Sequence, residues 1–356
     1  MSNDHFDLSH LIPEARAIAM LPAAERIQRV RADRWIGYPK AIATLNKLES
    51  LLNWPSKQRM PNLLIVGPTN NGKSMIIEKF RRTHPAFTEL DSERMPIVSM
   101  QMPSDPSIKR FYSALLVALG SPIRPRQQLA ELEQQALRLL RAVKVQMLVI
   151  DELHNIMAGT GSNRREFLNL LRFLGNELRA PMVGIGTKEA YLAIRSDDQL
   201  ENRFEPMVLP LWQEVNDIES LLASFIAILP LRKPSFIANT DMARYLLVRT
   251  EGTIGELAQL LMSAAIVAIE TGEESITSHT LSLADYEGPT ERRRAFPGIT
   301  PDSSHMLIIF VYNGFLNDIG ICNSSSSVRS NLNHTPPCTV LCGNFTSPVV
   351  NADHVR

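Results

Sequence analysis

Residues Gly67 to Ser74 read G-P-T-N-N-G-K-S and fit G-x-x-x-x-G-K-[ST] at every fixed position. The chemistry such a loop serves is polyphosphate binding. Its glycines let the backbone curl across Gly67, Pro68, Thr69, Asn70, Asn71 and Gly72 so that the N–H groups of all but the proline converge on phosphate oxygens. A helix opening around Met75 adds its N-terminal donors and dipole. Lys73 would reach the β- and γ-phosphates of ATP, and the Ser74 hydroxyl would ligate Mg2+. A chance match in a chain this long has a probability of roughly one in a hundred. An apolar run before the loop and helical spacing after it lower that further.

A bound magnesium ion needs a second ligand. In "VQMLVIDELHN" an apolar run ends in Asp151 and Glu152, 78 residues after Lys73. That places them at the carboxyl end of what is expected to be a neighbouring strand of a doubly wound sheet. Asp151 would help hold Mg2+, and Glu152 would orient and polarise the attacking water. The alternative is a solvated acid pair at a strand end. The run "PMVGIGT" ends at Thr187, whose hydroxyl would bridge water and γ-phosphate. Arg203, before the last apolar run, is either a surface ion-pair partner of Glu201 or Glu205, or a cation projecting into a neighbouring subunit's nucleotide. Arg195 is the fallback for that role.

These residues need a scaffold that brings distant strand ends together. Five short apolar runs, "LLIVG", "PIVSM", "VQMLVID", "MVGIGT" and "MVLPL", alternate with helix-like stretches. That pattern requires a parallel sheet covered on both faces, since its strands see no water on either side. The expected fold is an α/β P-loop NTPase core over residues 36–212, a parallel sheet flanked by helices. From Asp217 the periodicity is helical throughout, giving an all-helical lid domain over 213–294. Residues 1–35 form an N-terminal extension in which Arg26, Arg29, Arg31 and Arg34 suggest an exposed basic edge.

Composition narrows the class. The chain has 356 residues, 44% of them apolar, with 37 lysines and arginines balancing 37 aspartates and glutamates. No run approaches eighteen apolar residues and the first ten residues are polar, so a cytoplasmic protein with no membrane partner is expected. The three cysteines, Cys322, Cys338 and Cys342, lie near the C-terminus, leaving no disulfide framework or metal-ligand spacing elsewhere. Residues 295–356 are expected to be a disordered or non-native tail. From Ser303 onward there is no lysine or glutamate, and serine, asparagine and proline dominate.

The order of these elements resembles AAA+ ATPases. "IDELHN", "GIGTKEA", "LPLRKPS" and "EGTIGELAQLLMSAAIVAI" are similar to the TniB family of transposition proteins, related to TnsC and more distantly to MuB. The likeness runs from about Leu11 to Arg294. It implies an ATPase that assembles on duplex DNA as a ring or helical filament, with ATP between protomers. It also implies recruitment of a DDE-type, TniA-like transposase together with a TniQ-like adaptor. By the same likeness "WIGYPKA" closes over the base, making Ile36 and Gly37 adenine neighbours. Loops after the second and third strands would line a DNA channel, and here they carry Lys109, Arg110, Arg164 and Arg165. Arg292 to Arg294 form a further basic candidate. One departure is visible: "GTIGEL" puts Gly255 and Glu256 where many AAA+ proteins carry a lid arginine. Alternatives to a DNA-dependent ATPase switch are a phosphotransferase, a nucleotide-dependent scaffold with little turnover, and another AAA+ remodelling or loader ATPase.

Overall fold

The computed structural model describes residues 6–295 apart from positions 33, 91 and 214. The chain divides into two units, Met1–Pro297 and Gly298–Arg356, and all described residues belong to the first. The readings made of the tail beyond residue 295 lie outside the described residues.

The chain opens with helices α1 (Pro13–Ala19), α2 (Ala23–Arg31) and α3 (Pro39–Leu52), then strand β1 (Asn62–Val66) and helix α4 (Lys73–Thr83). A small antiparallel hairpin, β2 (Phe87–Glu89) and β3 (Ser92–Arg94), precedes β4 (Ile97–Gln101), α5 (Ile108–Ala118), α6 (Leu129–Ala142) and β5 (Met147–Asp151). A 3-10 helix over Leu153–Ala158 leads to α7 (Gly161–Leu178), β6 (Met182–Gly186), α8 (Lys188–Arg195), α9 (Asp198–Glu201) and β7 (Phe204–Val208). Thereafter every described element is helical: α10 (Val215–Ile228), α11 (Thr240–Thr250), α12 (Ile254–Glu270), α13 (Ser278–Leu283) and α14 (Pro289–Ala295).

The five longer strands form one parallel sheet in the order β4-β5-β6-β1-β7. β6 therefore lies between β1 and β5, so the strand carrying Asp151 is not the immediate neighbour of the phosphate-loop strand, as the sequence suggested. The last strand begins at Phe204 rather than at the apolar run from Met207. It is a sheet edge with exposed Glu205 and Pro206, and an edge tolerates proline and alternation that a central strand does not. The β2–β3 hairpin is too short and too exposed to carry an apolar signal, and the sequence reading missed it.

Alternate residues of each strand face opposite sides, and the core divides accordingly. Leu63 and Ile65 of β1 pack with Ala41, Leu48, Ile76 and Phe80 and with the C-terminal helices. Leu64 and Val66 pack instead into a cluster with Phe111, Leu115, Leu140 and Phe167. All five residues of β1 are buried, as a sheet covered on both faces requires. Polar Asn62 is accommodated because its Oδ1 accepts from Met182 N at 2.9 Å and its own N–H donates to the Arg203 carbonyl.

The N-terminal arginines are not a uniform exposed edge. Arg26 is buried at 2% exposure and donates through both terminal nitrogens to the two oxygens of Glu274, each at 2.7 Å. Arg34 donates to the carbonyls of Ile228 and Arg29. α2 thus packs on α12, with its charge consumed by a bidentate pair beneath the helical region. Burial of Glu274 favours its neutral form, but the Arg26 hydrogen bonds and charge outweigh this and hold its carboxyl below the ordinary 4.5. The unfolded chain then binds more protons than the folded one. The pair's stabilisation is complete above the ordinary carboxyl pKa and is lost as pH falls through the depressed one. We expect Glu274→Gln, which leaves Arg26 buried without a counter-charge, to cost about 3 kcal/mol in urea unfolding at pH 7. Its unfolding free energy should also vary less with pH than the wild type's below about pH 5.

Candidate nucleotide site

β1 ends at Val66, and the chain turns through Gly67 under the exit of β7. A Cβ on Gly67 would lie 2.6 Å from the Leu209 carbonyl, so only glycine fits. Asn70 (φ 59°) and Gly72 (φ 79°) adopt left-handed backbone, which curls the loop into the first turn of α4. Asn71 is buried, and its Nδ2 donates to the Leu209 and Pro210 carbonyls at 2.9 Å each. Lys73 opens α4 with its ammonium folded into the loop, donating to the Gly67 and Pro68 carbonyls at 2.9 and 2.5 Å. Burial lowers its pKa, while Asp151 and Glu152 oppose that shift.

Three strand ends meet beside this loop. Ser74 Oγ donates to Asp151 Oδ2 at 2.9 Å, uniting the two residues expected to hold magnesium. A hydroxyl and a carboxylate in direct contact at a phosphate loop are oxygen donors of the type Mg2+ takes, so the residues present fit the ion. Glu152 stands in left-handed backbone (φ 56°, ψ 35°), unusual for a residue with a side chain, and its N–H donates to Asp151 Oδ1. Thr187, at the end of β6, donates its hydroxyl to the Glu189 carboxylate, which holds that carboxyl below its usual range.

A cleft of about 560 Å3 joins these groups. Thr69, Asn70, Asn71, Gly72, Lys73, Ser74 and Met75 line it, together with Glu152, Thr187 and Ile36. Gly67 and Pro68 lie behind the loop and Gly37 is not in the lining. Arg34, Trp35 and Tyr38 form the wall there instead, and Tyr38 packs edge-on against Trp212 at 5.2 Å. Burial pushes the Tyr38 hydroxyl up to about 12. The opposite rim is the start of α12, through Ile254, Gly255 and Ala258.

Sequence reasoning gave no role to His154, although it lies in the quoted "IDELHN" stretch. Its Nε2 lies 3.1 Å from Glu152 Oε2, while Nδ1 is buried beside Gly186 without a partner. The signal available was a second polar side chain two residues beyond the acid pair. Arg203 is not in the cleft. It precedes β7 at the amino edge of the sheet, opposite the loop, and its Nη1 donates to Asn176 Oδ1 rather than to Glu201 or Glu205. Arg195 is ion-paired with Glu201 at 2.8 Å.

Lys109 and Arg110 open α5 and Arg164 and Arg165 open α7, next to each other at the carboxyl end of the sheet. A Cβ on Gly159 would lie 2.2 Å from Pro106 Cγ, so the two preceding loops touch. Lys109 and Arg165 are exposed, Arg110 is paired with Asp105 at 2.6 Å, and Arg164 donates to the Met157 carbonyl. Arg292 and Arg293 are engaged by Glu256 and Glu251. Among the described residues no cluster of histidine, cysteine and acid side chains could hold another metal, and no single helix is long and apolar enough to cross a membrane.

No curated protein sequence matches the chain significantly. Solved structures match its fold at low identity. The Aeropyrum pernix ORC2 protein in its ADPNP–ADP complexes aligns with TM-score 0.51 and 14% identity, covering 78% of this chain and 73% of that one. CDC6P from Pyrobaculum aerophilum aligns with TM-score 0.51 and 15% identity, covering 76% and 72%. At such identity the likeness shows the fold alone, a parallel sheet flanked by helices with a helical C-terminal region. The family model described as "Bacterial TniB protein" matches residues 26–214, more than half of the chain and all of its sheet. With the phosphate loop, the Asp151–Glu152 pair and the whole parallel sheet inside that span, the chain belongs to the TniB family.

Proposed function

We propose that this protein is a magnesium-dependent ATPase that oligomerises on target duplex DNA, as a ring or helical filament. There it recruits a TniA-like DDE transposase with a TniQ-like adaptor, and hydrolysis controls disassembly and target selection. The observation that carries the reading is the meeting of Ser74 with Asp151 beside Lys73, at the mouth of a cleft that also takes in Glu152 and Thr187. The Aeropyrum ORC2 neighbour, solved with ADPNP and ADP, supports a nucleotide in the corresponding cleft.

Bound there, Mg-ATP would supply the phosphoryl group to be transferred and the cationic charge that offsets its oxygens. Lys73 exchanges loop carbonyls for phosphate oxygens, an exchange favoured by the stronger charge-assisted bond. Ser74 and Asp151 would hold the ion. Glu152 would orient the attacking water and accept its proton, with His154 fixing the carboxylate. Thr187 turns its hydroxyl from Glu189 to the γ-phosphate. Arg203 sits at the far edge of its own sheet, so its stabilising charge would act on a neighbouring copy's nucleotide, and Arg195 is held in its pair with Glu201. The division into N-terminal extension (1–35), ATPase core (36–212) and helical lid (213–294) gives closure an axis at the cleft. Lys109, Arg110, Arg164 and Arg165 would meet DNA phosphates without reading sequence.

A scaffold with little turnover is the second reading, favoured by the acid Glu256 standing where a lid arginine would help hydrolysis. Phosphate release from Mg-ATP, with and without linear duplex, separates the two. Under the ATPase reading Lys73→Ala lowers release about a hundred-fold and abolishes DNA assemblies in electron micrographs. Glu152→Gln lowers turnover by a similar factor yet retains ATP, leaving long-lived DNA complexes; unchanged assembly lifetime would favour the scaffold. His154→Ala should reduce turnover about ten-fold with ATP affinity unchanged, and His154→Gln, which keeps a donor near Nε2, should recover most of it. Replacing Lys109 and Arg165 with alanine should weaken DNA binding alike for all sequences. It should also lower the slope of log affinity against log salt by about 0.9 for each lost phosphate contact.

A further inference from the structure

The first turn of α12 lies directly on the phosphate loop. Gly255 N–H donates to the Asn70 carbonyl at 3.0 Å, and a Cβ on Gly255 would fall 1.9 Å from Asn70 Oδ1. The next residue, Glu256, is buried at 7% exposure and is bonded to three separate segments. Its Oε1 accepts from Asn70 Nδ2 at 3.2 Å and from Arg292 Nη2 at 2.7 Å, and its Oε2 accepts from the Tyr286 hydroxyl at 3.0 Å. One carboxylate oxygen thus joins the phosphate loop to α14.

An acid in a helix's first turn is ordinarily explained by its own helix dipole, and such acids sit in water. This one is enclosed and faces a loop built for anions, where a bare carboxylate would repel polyphosphate. The repulsion grows with each phosphate added, so it bears on a triphosphate more than on a diphosphate. The Arg292 guanidinium is the charge that cancels it. α14 has a further anchor besides this contact: Glu251 accepts from Thr290 and Arg293.

We infer that Arg292 is a positioning residue for nucleotide discrimination: through Glu256 it neutralises the lid side of the phosphate loop and so favours a triphosphate over a diphosphate. It does from α14 what the lid helix, with Gly255 and Glu256 at its start, does not do itself. The inference rests on the nucleotide-binding reading above, and it gives Arg292 work other than DNA contact.

The test is calorimetric titration of the full chain, in Mg2+, with a non-hydrolysable ATP analogue and separately with ADP. Arg292→Ala should weaken the triphosphate about ten-fold more than the diphosphate. Adding Glu256→Gln in the same chain should restore the ratio, because the amide oxygen still accepts from Asn70 without carrying charge. Arg293→Ala should leave the ratio unchanged. An equal loss for both nucleotides, no loss, or a double variant that stays impaired would overturn the inference. Wild-type protein that binds neither nucleotide would overturn the functional reading and this inference with it. Tight wild-type binding with an unaltered Arg292→Ala ratio would overturn only the latter.

Discussion

The phosphate loop is held by close backbone approach on two sides, and the rest of the site follows from that confinement. Behind it, the Leu209 carbonyl occupies the space a Gly67 side chain would need, and Asn71 ties the loop to Leu209 and Pro210. In front, the start of α12 leaves no space for a side chain at Gly255. A loop so hemmed keeps its N–H groups directed into the cleft at no further conformational cost when an anion arrives, which is what preorganisation means for binding. It also forces the Lys73 ammonium into a largely dry position against the Gly67 carbonyl, where burial lowers its pKa and the Asp151 and Glu152 charges oppose that shift.

A parallel sheet has all its strand ends on one edge, so one confined loop can be served by several strands. Asp151 ends β5, Thr187 follows β6 and the loop follows β1, so these three segments converge on one side. The same geometry puts Arg203 at the opposite edge. The touching loops around Pro106 and Gly159 place the basic starts of α5 and α7 side by side, still on the nucleotide edge.

Helix α12 is the junction of the molecule. Its first turn abuts the phosphate loop, its flank receives α2, and the loop after it supplies Glu274 to Arg26. Movement of α12 relative to the sheet would disturb the nucleotide cleft and the docking of the N-terminal helices together. Buried ion pairs suit such a junction because they are costly to break and tolerate little change of geometry.

How far this was legible in the sequence depended on range. The phosphate loop, the acid pair after an apolar strand, Thr187 and the helical character after Asp217 are local patterns: glycine spacing, runs that end in charge, a period near 3.6. Local sterics and burial write those directly into consecutive residues. The edge strand began earlier than its apolar run, and the hairpin was missed, because exposed elements carry weak hydropathy signals. The strand order, the burial of Arg26, the partnership of His154 with Glu152 and the Asn70–Glu256–Arg292 chain join residues up to 248 positions apart. Residue types alone say that such charges need partners. Only folding, by packing distant backbone segments at fixed distances, decides which partners they receive.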